Sequence, residues 1–417
     1  MEDFPVEVIG NILSRVGAAR DLVFASLTCR NWQEAWRNHL HILAFNSNDW
    51  HVYDELTESR LEEIITRTIL QTNALQCLSI ILKDNVKFTM APVISWLMHT
   101  SDTLRQLHYN VKTPHLDILE ICSRQRLELL DLSYNTISRF PSYLKFPCLR
   151  SLSITRVKIS TLNLSCWLSA CPKVEVLNLV DLDVGRNSPE MSMILSSNSL
   201  KDIRLETFEL REIILEANIL EKLHLIDCDI RTFELGGKGT LRILVLDEVI
   251  ISRLDVGKNT ENLEIVNVHY FTTSRSYFCR MIVKLSKARR MSLWGVMFED
   301  GNNEFVLSKT TSACFPQLTH LSLAYELGQA FQCGLLGYGQ LENVVEVELS
   351  WRSISHLKSH WVLELLQRCP NLRKLVIGGT VSDVNTPEAC HIFAKFTSFI
   401  TMLMREYRRV NIQFQFL

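Results

Sequence analysis

The recurrence of Leu-x-x-Leu-x-Leu from residue 75 to residue 377 constrains this chain more than any other feature of its sequence. Its clearest copies begin at Leu127 (Leu127, Leu130, Leu132, then Asn135) and at Leu220 (Leu220, Leu223, Leu225, then Cys228). Further copies, with conservative replacements, start at 75, 104, 149, 174, 200, 241, 263, 288, 318, 344 and 372, thirteen in all. Their mean spacing is about 25 residues, within the range of stacked repeats. In every copy the residues three and five after the start are apolar, from Leu78 and Ile80 in the first to Leu375 and Ile377 in the last. Alternation of this kind predicts one short, half-buried strand per copy. Units so short cannot bury their apolar faces alone, so they must stack on their neighbours. The predicted fold is an α/β repeat solenoid.

The stretches between strands support that phase. Pro147, Pro172, Pro316 and Pro370 each stand two residues before a start, where proline ends a helix and commits the chain to an extended path. Helices are predicted within 166–170 and 361–368. Repeats around 220–250 are only 20 to 22 residues apart, and a turn or 3₁₀ segment is expected there in place of a helix. Pro387 starts a helix expected to reach about Arg408, and Val410 to Phe416 alternates as a last strand. Two segments break the pattern, the polar 299–313 and the glycine-rich 328–340, and both are expected as rim loops. The repeats and the Asn or Cys after each of the clearest strands resemble leucine-rich repeats. That resemblance implies a curved horseshoe with a parallel concave sheet.

Ahead of the array lies a different pattern. Pro5 suits the start of a helix, and Val8, Ile9, Ile12, Leu13 and Val16 form one apolar stripe. After Gly17-Ala18-Ala19, Asp21 can cap a second helix, with Leu22, Ala25, Cys29, Trp32 and Trp36 following at spacings of three and four once a restart near Thr28 is allowed. Some forty residues cannot bury this much apolar surface within themselves, so the segment needs a partner surface. The Phe4-Pro5 start, the Ile12-Leu13-Ser14 run, Asp21-Leu22 and Ser26-x-x-Cys29-Arg30-x-Trp32 resemble an F-box. Phe4 stands where Leu is usual, Thr28 where Val is usual, and the connecting loop lacks a proline.

In order, the chain resembles a plant F-box/leucine-rich-repeat protein: F-box 1–45, about fourteen repeats over 40–386 counting one at Leu40, and a capping helix and strand over 387–417. The resemblance implies a substrate-recognition subunit of a Skp-cullin-F-box ubiquitin ligase. Its partners would be a Skp-family adaptor, a cullin reached through it, and a target protein. Pro5, Ile9, Ile12, Leu13, Leu22, Cys29 and Trp32 are expected to face the adaptor or support the face that does. Leu13→Arg is accordingly expected to abolish adaptor capture and spare the array.

A formal net charge of -2 gives no overall electrostatic reason to bind nucleic acid or an anionic membrane. No stretch of eighteen apolar residues occurs, and the acidic start is unlike a signal peptide, so a cytoplasmic or nuclear location is expected. The twelve cysteines show neither Cys-x-x-Cys pairs nor zinc-site spacing. Reduced, mostly buried thiols are expected, with no metal and no cofactor. No nucleophile context, phosphate loop or His-Glu-x-x-His motif occurs, so the chain is not expected to be an enzyme.

Residues two, four and six after each start project from the concave sheet, the usual binding face of such folds. Basic and acidic residues are mixed there. The candidate target-binding patch is Asp247, His269 and Trp294 in one row, with Arg290 and His320 beside it and Tyr270 and Tyr325 nearby. The plant auxin and jasmonate receptors share the F-box/repeat arrangement, but this face has no basic cluster comparable to theirs. A small-molecule receptor and a non-ligase interaction scaffold remain alternatives.

Overall fold

A computed structural model describes residues 4–83, 86–114, 118–185, 192–257, 260–298, 315–325, 340–351, 356–379 and 387–416. The expected rim loops 299–313 and 328–340 lie outside the described residues, apart from residue 340. Internal contacts divide the chain into two units, Met1–Phe208 and Glu209–Leu417.

The first unit opens with three helices, α1 (Val6–Val16), α2 (Ala19–Ser26) and α3 (Arg30–His39). Asp21 is not the cap of α2. That position belongs to Ala18, while Asp21 lies in the first turn and accepts a hydrogen bond from Arg20 Nε at 2.7 Å. The break near Thr28 is real, and α3 restarts after Cys29 in extended conformation. Ile9 and Leu13 of α1, Leu22 of α2, and Ala35 and Trp36 of α3 are buried where the helices pack together. Gly10 sets the approach of α1 to α3. A Cβ there would lie 2.3 Å from His39 Cβ and 2.8 Å from His39 O, so any side chain would force the helices apart.

These helices join the array without a linker. His41 N donates to Ser14 Oγ at 2.9 Å, and Ala44 N donates to Gly17 O at 2.8 Å. The strand Ile42–Asn46 then begins a parallel ladder through Cys77–Ile81, Gln106–Tyr109, Leu129–Ser133, Ser151–Thr155, Val176–Val180 and Asp202–Glu206. Register holds without slip, so Leu43, Leu78, Leu107, Leu130, Leu152, Leu177 and Ile203 align as one buried row. A one-residue slip would turn every such leucine to the open side. Helices Glu58–Ile69, Met90–His99, Ile118–Cys122 and Thr161–Ser169 supply crossovers that parallel strands require.

The second unit repeats the arrangement through Lys222–Gly236, Ile243–Asp255, Ile265–His269, Arg290–Trp294, His320–Tyr325, Glu346–Trp351, Lys374–Gly379 and Asn411–Phe416, each parallel to the next. The helix before the last strand is Pro387–Glu406. The turn or 3₁₀ expectation for 220–250 is corrected here. Lys222–Gly236 and Ile243–Asp255 continue past their ladder segments as extended chain. Cys228 and Ile230, then Phe233 and Leu235, are buried with a period of two on either side of one phase shift, and Val249, Ile251, Leu254 and Val256 match them. With so few residues per repeat, alternation that buries β-branched and aromatic side chains wins over a helical turn.

The turn ending each strand recurs in backbone detail. Tyr134, Arg156, Asp181, Thr207, Asp227, Glu248 and Tyr270 all stand seven residues after a repeat start and all have positive φ, from 48° to 60°. Left-handed backbone costs a non-glycine residue roughly 1–2 kcal/mol. A ladder bond offsets the strain: Tyr134 N donates to Thr155 O at 3.1 Å, Arg156 N to Val180 O at 2.9 Å, and Tyr270 N to Trp294 O at 2.8 Å. Gly295 holds the same position in the next repeat, and a Cβ there would meet the Tyr270 ring at 2.8 Å.

Among the described residues, no helix is long and apolar enough to cross a membrane. The described cysteines are free thiols. Cys171 and Cys369 are buried and pushed up to about 12 by desolvation, whereas Cys166 and Cys390 are exposed.

Candidate functional site

Two surfaces collect the residues singled out above. The first is the outer side of α1 and α2. Of the residues expected to meet an adaptor, Ile9, Leu13 and Leu22 are wholly buried, so they support the face from behind. Cys29 and Trp32 are half-buried, and Pro5 and Ile12 are exposed. Sequence reasoning missed most of the exposed apolar band: Phe4, Val8 and Val16 join Ile12 on the first helix and its approach, while Val23, Phe24 and Leu27 extend it along and beyond the second. Phe24 is 64% exposed and Leu27 74%. An apolar stripe on a helix shows in sequence, but the stripe of α1 is wide and only packing decides that Ile9 and Leu13 are covered while Val8, Ile12 and Val16 stay open.

The second surface is the open face of the ladder in the second unit. Strand register gives three rows, beginning Lys222–Ile243–Ile265–Arg290–His320, His224–Val245–Asn267–Ser292–Ser322 and Ile226–Asp247–His269–Trp294–Ala324. Asp247, His269 and Trp294 are therefore neighbours in one row, whereas Arg290 and His320 pair in another row four residues earlier along the strands. His269 Nδ1 lies 4.0 Å from Asp247 Oδ1, His269 Nε2 lies 3.2 Å from Ser292 Oγ, and the His269 and Trp294 rings are 5.1 Å apart. Trp294 Nε1 donates to Ser322 Oγ at 3.2 Å, and that hydroxyl donates to Glu348 Oε2 at 3.4 Å. His320 Nε2 stands 3.3 Å from Glu346 Oε2, and Lys374 Nζ donates to Glu346 Oε1 at 2.5 Å. The Lys374 ammonium holds the Glu346 carboxyl below the usual carboxylate range against the opposing effect of burial. Ser292 and Ser322 were missed, although the repeat register places each near a chosen residue, while Glu346 and Lys374 were read as open-face charges but left out of the patch. Tyr270 is exposed beside this patch, and the side chain of Tyr325 lies outside the described residues.

Asp247, His269 and Ser292 have the composition of a hydrolytic triad but not its geometry. At 4.0 Å the carboxylate does not hold the imidazole by a hydrogen bond. The face is built from paired parallel strands, whose main-chain amides are committed to the ladder and cannot form an oxyanion hole. The side chains instead hydrogen-bond to one another, presenting the Trp294 ring beside His269 with the Asp247 and Glu348 carboxylates near it. Burial lowers the His269 imidazole from its ordinary value, while Asp247 raises it less. As pH falls the unfolded chain takes up this proton first. The neutral ring's contribution to stability is thus complete above about 6.5 and is lost as pH falls through the lower folded-state value. An NMR titration should find the His269 midpoint below 6.5, and Asp247→Asn should move it lower still. A midpoint raised by that substitution would contradict the assignment.

With both surfaces described, the chain can be set beside known proteins. It is 49% identical to the F-box/LRR-repeat protein At1g67190 of Arabidopsis thaliana over 419 aligned positions, covering the full length of both chains. This chain belongs to the F-box/LRR-repeat family. Residues 101–245 also match a family model described as the LRR repeats of FBD-associated F-box protein At5g56370. A further relative, the F-box protein At1g10780 of the same plant, is 28% identical over 191 residues, covering 43% of this chain and 44% of its own. The parallel ladders of in-register leucines fit the leucine-rich repeats for which that family is named.

Proposed function

We propose that this chain is the substrate receptor of a Skp-cullin-F-box ubiquitin ligase. The observation that carries the reading is the band of Phe4, Val8, Ile12, Val16, Val23, Phe24 and Leu27, which leaves large apolar side chains open on a three-helix module ahead of a repeat array. The band docks on the Skp-family adaptor, and the cullin is reached through that adaptor. The open face around His269 and Trp294 holds a target protein, since aromatic and arginine side chains flanked by charge dominate protein hot spots. The receptor performs no bond chemistry of its own. It contributes proximity, holding a target near the ubiquitin-charged enzyme in the cytoplasm or nucleus.

The full chain, purified under proteasome inhibition, is expected to bring down a Skp-family adaptor, a cullin and a set of target proteins. Trp294→Ala combined with Arg290→Ala should keep adaptor and cullin and lose the targets. Adaptor without cullin in the purified complex would sink the ligase reading, and an unchanged target set would remove the patch from it.

A further inference from the structure

A cleft of about 450 Å³ lies in the second unit, away from the three rows of the open face. It is formed past the corner residue Glu248, where the extended tail of Ile243–Asp255 meets the helix Arg275–Lys284. Three cations and one carboxylate line it: Arg253, Arg280, Lys284 and Asp255. Asp255 organises two of them. Its Oδ1 accepts from Gly257 N at 2.9 Å and from Lys284 Nζ at 3.1 Å, and its Oδ2 lies 3.5 Å from Arg253. Arg253 is also 3.5 Å from Glu234. Arg280 makes no ion pair among the described residues, and its guanidinium lies over the Tyr277 ring at 5.7 Å. That ring is itself pinned, because the Tyr277 hydroxyl accepts from Leu254 N at 2.6 Å and donates to Leu254 O. The cleft therefore holds an arginine over a pinned aromatic ring, together with a second arginine and a lysine paired to one carboxylate. The hydroxyl of Ser274, at the start of the helix, forms no capping bond and lines the same space.

We infer that this cleft is a binding site for a small phosphate monoester. Guanidinium forks match the oxygens of a phosphate two at a time, and the cations outnumber the carboxylate. The volume falls within the range of small-molecule sites and exceeds what an inorganic ion needs, leaving room for an organic portion. Carboxylate ligands present only two oxygens in one plane, a poorer match to cations that converge from a strand and a helix. The site is separate from the adaptor band and the target patch, so its success or failure is independent of the ligase reading.

Titration calorimetry on the full chain in a phosphate-free buffer tests this, using glycerol 3-phosphate, free O-phosphoserine and a short peptide containing phosphoserine. Both free monoesters are expected to bind. Arg280→Gln should weaken that binding by about tenfold or more, the effect of losing one charge-assisted contact, and Lys284→Gln should act in the same direction. Unligated melting of each variant is measured alongside, and Arg280→Gln should melt as the parent does because its guanidinium holds no carboxylate. No heat from either free monoester overturns the inference. Equal binding by the parent and both variants does so too, and binding of the peptide alone overturns the small-ligand assignment.

Discussion

Phe24→Asp combined with Leu27→Asp is expected to abolish capture of the Skp-family adaptor while the chain keeps its circular dichroism and melting temperature. Both side chains are largely exposed, so the folded chain loses nothing by their removal. In a docked complex each would be buried, contributing about 1.5–3 kcal/mol, so the pair is worth roughly a hundred- to ten-thousand-fold in affinity. The introduced carboxylates add a desolvation cost in the same direction. Surface plasmon resonance against the purified adaptor reads the effect directly. Undiminished affinity in a folded double variant would refute the docking surface and, with it, the ligase assignment.

Leu13→Arg is expected to abolish adaptor capture by unfolding the three helices and not by removing a contact with the adaptor. Leu13 is fully buried between α1 and its neighbours, so arginine there removes a buried side chain worth about 1.5–3 kcal/mol and strands a charge whose desolvation costs several more. That total rivals the stability of a whole domain. The three helices should unfold, and adaptor capture should vanish because the face has no support. Hydrogen exchange on the full-length variant should show loss of protection across 6–39, with the ladder strands from residue 106 onward still protected. Protection of 6–39 equal to the parent's would show that Leu13 can be displaced without cost, contrary to its packing.

The first pair of substitutions lies on and just beyond α2 and the second on α1, and together they separate binding from folding. Local periodicity marks Ile9, Ile12 and Leu13 alike as apolar helix positions. Nothing within the stripe says that Gly10 lets His39 approach within contact distance and thereby closes the Ile9–Leu13 side. The extended backs of Lys222–Gly236 and Ile243–Asp255 failed to show for a related reason. Repeat length reveals that a helix does not fit, but the choice between turn and strand is made by pairing with the repeat alongside.

The ladder was legible because each repeat carries its own record of which residues face inward. Period-two alternation, renewed about every 25 residues, determines strand, facing and register together, and Leu223, Leu244, Val266 and Met291 fall in one buried row as their spacing requires. Register also forecasts that Asp247, His269 and Trp294 are neighbours, although their starts are more than twenty residues apart. The open apolar side chains on α1 and α2 and the cationic cleft lined by Arg280 belong to tertiary structure alone. Each depends on which side of an element its neighbour covers. That is a property of packing between distant segments, and no local residue pattern encodes it.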